Sequence, residues 1–81
     1  MIVKIYKTAA CPFCHMETEW LKEKNVTFTE VYVDRDPAKA EEIAHKSGQL
    51  GVPVTEIADG GKTDYILGFD QAKLSQLLKL A

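Results

Sequence analysis

The chain has 81 residues, of which 46% are hydrophobic and 27% charged, with a formal net charge of −2. This length supports one small core and hence a single domain over residues 1–81, and the composition excludes disordered, collagen-like and low-complexity chains. The ten Lys and Arg residues form no basic stripe along which a nucleic acid could bind, and no apolar run reaches the ~20 residues of a membrane span.

The first predicted elements are a strand and a helix. The segment Ile2–Tyr6 is short, β-branched and aromatic, which is typical of a buried strand. Pro12 follows Cys11 and suits the first position of a helix, because its φ is fixed and its missing N–H is not needed there. Good helix formers continue to Lys24, and Asn25 can take the left-handed end position. The helix is therefore expected to begin at the first cysteine.

Apolar side chains recur at helical spacing along this helix, although Glu17–Glu19 interrupt them. These side chains are Phe13, Met16, Trp20 and Leu21. The next segment, Phe28–Val33, is rich in strand formers. Because a helix of about 13 residues precedes it, this strand can pair in parallel with the first one. A β-α-β unit is expected.

A second helix is predicted over Pro37–Ser47. Asp36 is a typical N-cap, and the proline that follows it suits the first helical position. Apolar residues then recur three to four apart until Gly48, which is typical of a helix end.

A hairpin and a third helix complete the predicted order. The strand-like runs Val52–Ile57 and Lys62–Leu67 flank the turn signal Asp59–Gly61, which indicates antiparallel pairing. Asp70 can cap a last helix whose apolar face consists of three leucines. These leucines are Leu74, Leu77 and Leu78. The order is β-α-β-α-β-β-α, an α/β arrangement.

Reactive chemistry is predicted at the start of the first helix, in the motif Cys11-Pro12-Phe13-Cys14. A thiolate at Cys11 would face unpaired backbone N–H groups and the positive end of the helix dipole, and both are expected to lower the pKa of its thiol. Cys14 lies one helical turn further on, close enough to attack a mixed disulfide formed on Cys11. The pair is therefore expected to close reversibly.

Two other interpretations of the cysteines are a zinc site and the attachment of a c-type haem. A structural zinc site needs four ligands, and the only histidines are His15 and His45, of which His15 is expected to point away from the sulfurs. The run Cys11–His15 matches the haem pattern. That pattern usually implies export and a mainly helical shell, whereas we expect no signal segment here and the motif opens a β-α-β unit. We expect no metal, no tightly bound cofactor, and a cytoplasmic monomer.

Three segments together resemble the glutaredoxins, and in particular the short YruB-type glutaredoxin-like proteins of the thioredoxin superfamily. They are Cys11-Pro12-Phe13-Cys14, Gly51-Val52-Pro53 and Gly68-Phe69-Asp70, so the resemblance extends over essentially the whole chain. It implies a minimal thioredoxin fold, with a four-stranded mixed sheet in the order 2-1-3-4 and helices on both faces. It also implies a thiol-disulfide oxidoreductase that reduces protein disulfides or protein–glutathione mixed disulfides through Cys11 and Cys14, with glutathione as electron donor.

The resemblance further implies where substrates bind. The Val52–Pro53 bond is expected to be cis and to lie beside the cysteines, so that the preceding backbone can pair with a peptide or glutathione. The γ-glutamyl end of glutathione is expected against the turn Gly68-Phe69-Asp70, where N–H groups would meet its carboxylate and Asp70 would serve its amine. Phe13, at the second helical position, is expected to flank the sulfur cleft.

Three residues depart from the glutaredoxin pattern. Phe13 replaces the commoner tyrosine, Thr8 stands where many members have lysine, and Gly51 replaces threonine before the Val-Pro pair. Lys7 is displaced by one residue from the usual lysine, whose charge would favour the thiolate and attract the glutathione carboxylate. One alternative is therefore a redoxin that takes electrons from thioredoxin reductase and donates them to an enzyme such as ribonucleotide reductase, which Gly68-Phe69 favours. Another is a non-catalytic thioredoxin-fold adaptor or redox sensor.

Overall fold

Seven elements follow one another in the predicted order in a computed structural model, which describes residues 1–48 and 51–80. The strands are β1 (Ile2–Lys7), β2 (Thr29–Tyr32), β3 (Val54–Asp59) and β4 (Lys62–Leu67). The helices are α1 (Pro12–Glu23), α2 (Pro37–Ser47) and α3 (Gln71–Leu77). The bounds of α2 and β4 agree with the sequence prediction to the residue.

The strands form one mixed sheet in the order β2-β1-β3-β4, which confirms the expected topology. β1 pairs in parallel with β2, as a strand separated by a helix can, and it pairs antiparallel with β3. β3 and β4 form the antiparallel hairpin, closed at the pair Asp59↔Lys62. Gly60 and Gly61 make the two-residue turn, and both have the positive φ (59° and 83°) that such a turn requires.

Apolar side chains cover both faces of the sheet, so helices are needed on each. On one face Val3 packs with Ile57 and with Leu74 of α3, and Trp20 of α1 covers this cluster. On the other face Tyr6 packs with Ile43 of α2. We call the first the α1–α3 face and the second the α2 face. Successive side chains of a strand point to opposite faces of the sheet, so each strand contributes to both faces.

Side-chain caps determine where α2 and α3 begin, as the sequence predicts. Asp36 accepts a hydrogen bond from the Lys39 N–H at 3.2 Å, and Asp70 accepts one from the Lys73 N–H at 3.1 Å. Each bond satisfies one of the N–H groups that a helix leaves unpaired at its first turn. Among the described residues, no helix combines the length and apolar character needed to cross a bilayer.

Three strands have bounds that differ from the prediction. β3 begins at Val54 rather than Val52, because Pro53 has no N–H to donate to the sheet, and it extends to Asp59 because the glycine turn closes only there. β2 lacks both ends of the predicted run, namely Val33 and also Phe28, which packs against the core of the α1–α3 face. β1 is one residue longer and includes Lys7, whose carbonyl accepts the Val33 N–H at 2.9 Å.

Candidate active site

Cys11 is the N-cap of α1 and stands just beyond the end of β1. Its backbone is extended (φ −91°, ψ 110°), and the proline that follows occupies the first helical turn. The Cys11 Sγ accepts a hydrogen bond from the Cys14 N–H at 3.2 Å. The sulfur therefore takes the place that a serine or aspartate oxygen takes at other helix starts, where backbone N–H groups stabilise negative charge.

Cys11 and Cys14 are joined in a disulfide, with their Cα atoms 5.2 Å apart. The pairing agrees with the sequence prediction. The two sulfurs are not equivalent, because Cys11 is 9% exposed whereas Cys14 is 0% exposed. Of the two cysteines, only Cys11 has any contact with solvent.

The face that α1 turns to the core is only partly apolar. Phe13 and Met16, which recur at helical spacing with Trp20 and Leu21, are 60% and 53% exposed. The buried residues are Cys14, Glu17, Thr18 and Leu21. Their spacing of three, four and seven residues marks one side of a helix. The helix is rotated so that the second cysteine and Leu21 face inward, and this rotation carries two polar residues into the interior.

Glu17 is the buried carboxyl of this face. It accepts a hydrogen bond from the Thr55 hydroxyl of β3 through its Oε2. Its Oε1 has no hydrogen-bond partner within the described residues. Burial raises the pKa of Glu17 to about 7, although the Thr55 hydrogen bond and the Lys7 charge both act to lower it. Thr18 beside it is satisfied locally, since its hydroxyl donates to the His15 carbonyl at 2.9 Å.

Lys7 also points inward, because it follows Val3 and Ile5 on the α1–α3 face. Its side chain is 3% exposed, and its Nζ lies 3.1 Å from Glu30 Oε2. Hydrogen bonds from the Tyr32 hydroxyl, at 2.8 Å, and from Lys7 hold the pKa of Glu30 below its usual value. The Lys7 ammonium is therefore held in the interior and is not presented at the surface for the carboxylate of an incoming ligand.

The other predicted site segments meet at the same end of the sheet. The Val52–Pro53 bond is cis, as expected. Pro53 directly precedes the pair Tyr6↔Val54, so it lies beside the end of β1 from which the cysteine loop starts. Its carbonyl accepts the Gly68 N–H at 2.9 Å, and Gly68 has a φ of 75°, which favours glycine.

Phe69 and Asp70 have structural partners of their own. The Phe69 ring packs edge-on against Trp20, with ring centroids 6.0 Å apart and an interplanar angle of 70°. This side chain is therefore directed toward α1 and is half-buried. Asp70 caps α3, and its predicted service to a ligand amine stays a prediction.

His15 is turned back toward the loop before the motif. Its Nε2 lies 3.1 Å from the carbonyl oxygen of Ala9. Across residues 1–48 and 51–80, no three His, Cys, Asp or Glu side chains gather as a metal site would require.

The raised pKa of Glu17 predicts that folding stability depends on pH. Between 4.5, its ordinary value, and about 7, the folded protein holds a proton that the unfolded chain has lost, so stability falls as the pH rises through this range. Relative to Glu17→Gln, we expect the free energy of unfolding of the wild type to fall by about 3 kcal/mol between about pH 4 and about pH 8. Urea denaturation at each pH measures it. A difference that does not vary with pH would contradict the assignment.

Comparisons with known proteins converge on one family. A family model described as Glutaredoxin matches residues 3–61. The uncharacterized glutaredoxin-like 8.6 kDa protein in rubredoxin operon of Clostridium pasteurianum is 41% identical over 78 residues, which cover 96% of this chain and 99% of that protein.

Solved structures show the same relationship. The glutaredoxin of Archaeoglobus fulgidus superimposes with a TM-score of 0.79 at 29% identity, over 95% of this chain and 85% of that one. NrdH-redoxin from Escherichia coli, a glutaredoxin-like protein with a thioredoxin-like activity profile, superimposes with a TM-score of 0.76 at 26% identity, over 100% and 96% of the two chains. The matched segment contains the disulfide and the cis proline, and the alignments run nearly from end to end, so the chain belongs to the glutaredoxin family and is a redox protein with the thioredoxin fold.

Proposed function

We propose that the protein is a dithiol oxidoreductase in which Cys11 attacks disulfide substrates and Cys14 resolves the intermediate. The observation that carries this proposal is that the two cysteines differ in exposure and in hydrogen bonding. Cys11 is partly exposed at the start of α1 and accepts a backbone N–H, whereas Cys14 is fully buried and already bonded to it. Such a pair can accept and release two electrons.

The chemistry starts from the reduced protein. The Cys11 thiolate, stabilised by the helix start, attacks one sulfur of a substrate disulfide and releases the other as a thiolate. The mixed disulfide left on Cys11 is then attacked by Cys14, which frees the substrate and forms the Cys11–Cys14 bond. An external donor must reduce that bond before another cycle.

Glutathione is the proposed donor, and protein–glutathione mixed disulfides are proposed substrates beside protein disulfides. Cys11 would release the protein thiol and become glutathionylated, and a second glutathione or Cys14 would resolve this intermediate. The Val52–Pro53 backbone and the turn Gly68-Phe69-Asp70 are proposed to hold glutathione, since both lie at the end of the sheet that carries the cysteine loop. A reducing cytoplasm suits this chemistry, and we place the protein there as a monomer that acts as one domain.

A second candidate is a redoxin that is reduced by thioredoxin reductase and passes electrons to an enzyme such as ribonucleotide reductase. The observation that favours it is the burial of Lys7 against Glu30, which holds this cation away from the surface, where it could attract the glutathione carboxylate. The full-length superposition on NrdH-redoxin agrees with it.

The variant Cys14→Ser distinguishes these donors. One cysteine suffices for the glutathione route, so the variant is expected to keep deglutathionylation while losing the reduction of protein disulfides. Thioredoxin reductase needs a Cys11–Cys14 disulfide to reduce, so on that route the variant loses all turnover. The assays are the variant with glutathione and glutathione reductase, and the wild type with thioredoxin reductase. If the variant is inactive with glutathione and the wild type is reduced only by thioredoxin reductase, glutathione is not the electron donor.

Phe13→Ala is expected to weaken substrate binding without affecting the fold, because this ring is exposed next to Cys11. We expect KM for a disulfide substrate to rise roughly three- to tenfold, which corresponds to about 1 kcal/mol of lost contact. Ile2→Ala is the matched control, since Ile2 is 59% exposed against 60% for Phe13 and lies at the far end of β1. Steady-state kinetics and urea denaturation measure the two effects. Unfolding of the Phe13 variant would show instead that the ring belongs to the core.

A further inference from the structure

The proposed resolving step raises a difficulty that the fold itself answers. Cys14 must become a thiolate before it can attack, yet its side chain is completely buried. Bulk water is thus not at hand to take the proton. A base within the protein interior would remove this obstacle.

Glu17 is placed to be that base. It follows Cys14 by three residues on the same helix, and both side chains are 0% exposed. Residues so spaced have Cβ atoms roughly 5–6 Å apart on one helix face. One carboxyl oxygen is held by Thr55, while Oε1 has no partner within the described residues. A buried acceptor without a partner is costly to maintain in a fold, which favours a use for it.

We propose that Glu17 accepts the proton of the Cys14 thiol during resolution and returns it when the disulfide is reduced. This inference rests on the proposed function. It assigns Glu17 a part in proton transfer, whereas electron transfer stays with the two sulfurs.

The charges around Glu17 suit a group that must gain and lose a proton near neutral pH. From β1 it faces Lys7, and β2 contributes Glu30, which neutralises Lys7 at 3.1 Å. From β3 it faces the Thr55 hydroxyl, and β4 and α3 present the apolar Ile66 and Leu74 on this side of the sheet. Lys7 is shared with Glu30 and offsets only part of the effect of burial on Glu17. Burial therefore dominates and raises the pKa of Glu17 to about 7.

The step balances as follows. The mixed disulfide Cys11–S–S–R meets the Cys14 thiol and the Glu17 carboxylate. The proton passes to the carboxylate, the Cys14 sulfur bonds to Cys11 Sγ, and the bond from Cys11 to the substrate breaks. R–S⁻ leaves with the electron pair and is protonated by water. In the return direction an incoming thiolate attacks Cys11, and Cys14 leaves and recovers the proton from Glu17.

A single-turnover reaction separates the two sulfurs. The reduced protein is mixed with one equivalent of 5,5′-dithiobis(2-nitrobenzoate). Attack by Cys11 releases the first coloured thiolate, and resolution by Cys14 releases the second. We expect Glu17→Gln to leave the first phase unchanged and to slow the second by at least about tenfold at neutral pH. Glu19→Gln, the same change at an exposed site of α1, is expected to alter neither phase.

Thr55→Val provides the second variant, because it leaves the carboxyl in place. Loss of the hydrogen bond that lowers the pKa of Glu17 is expected to move the midpoint of the second phase to higher pH. If Glu17→Gln does not fold, the pH midpoint of the second phase in Thr55→Val tests the inference. A second phase that is unchanged in rate and pH profile in the folded variants would overturn the inference, whereas absence of the first phase in the wild type would reject the proposed function itself.

Discussion

Cys11→Ser is expected to abolish thiol-disulfide exchange with every substrate and donor. Cys11 is the more exposed of the two cysteines, and its sulfur receives a backbone N–H at the start of α1, so we expect it to begin the reaction. Serine retains the cap and the helix but offers no comparable nucleophile at neutral pH. The loss should therefore be complete although the protein stays folded.

Alkylation tests the same assignment in the unmodified protein. The reduced chain is treated with a small amount of iodoacetamide at neutral pH, and peptide mapping locates the label. We expect Cys11 to be labelled first, because Cys14 is wholly buried. First labelling of Cys14 would overturn the order of attack.

Leu21→Ala is expected to cause the largest loss of stability among single changes in α1. Leu21 is completely buried on the face that docks the helix against the sheet. Truncation of such a leucine costs about 2–5 kcal/mol, whereas an 81-residue domain has about 4–12 kcal/mol in total. A large part of the free energy of unfolding of the domain would therefore be lost.

Urea denaturation followed by Trp20 fluorescence measures this loss. Met16→Ala is the control, since Met16 lies on the same helix and is 53% exposed. We expect this control to remain within about 0.5 kcal/mol of the wild type. Equal effects of the two substitutions would contradict the observed orientation of α1.

Local signals in the sequence suffice for most of the architecture. Asp36 and Asp70 mark helix starts through side-chain caps, and the paired glycines mark the hairpin, because each effect acts within a few residues. The disulfide was expected from the spacing of Cys11 and Cys14, and the cis peptide bond from the resemblance to the glutaredoxins. Short-range signals do not locate a strand boundary that pairing with a neighbouring strand decides, as at the end of β1, where Lys7 pairs with Tyr32.

The inward face of α1 depends on partners that are distant in the sequence. Glu17 is buried although it is polar, and one of its carboxyl oxygens accepts a hydrogen bond from a hydroxyl 38 residues away. Lys7 is buried because a carboxylate 23 residues away pairs with it. Such partners become neighbours only in the folded sheet. Two signals were nevertheless present, namely the helical spacing from Cys14 to Glu17 and the strand alternation from Val3 to Lys7.

The central claim, that Cys11 and Cys14 form a catalytic dithiol, is tested most directly by turnover of a small glutathione mixed disulfide. The protein is used far below the substrate concentration, with glutathione as reductant and, in a parallel assay, with thioredoxin reductase. We predict that substrate is reduced in large excess over protein with at least one donor, and that Cys11→Ser gives none. Reduction that stops at one equivalent per protein would indicate a redox sensor, and no reduction would indicate an adaptor; either result would contradict the proposed function.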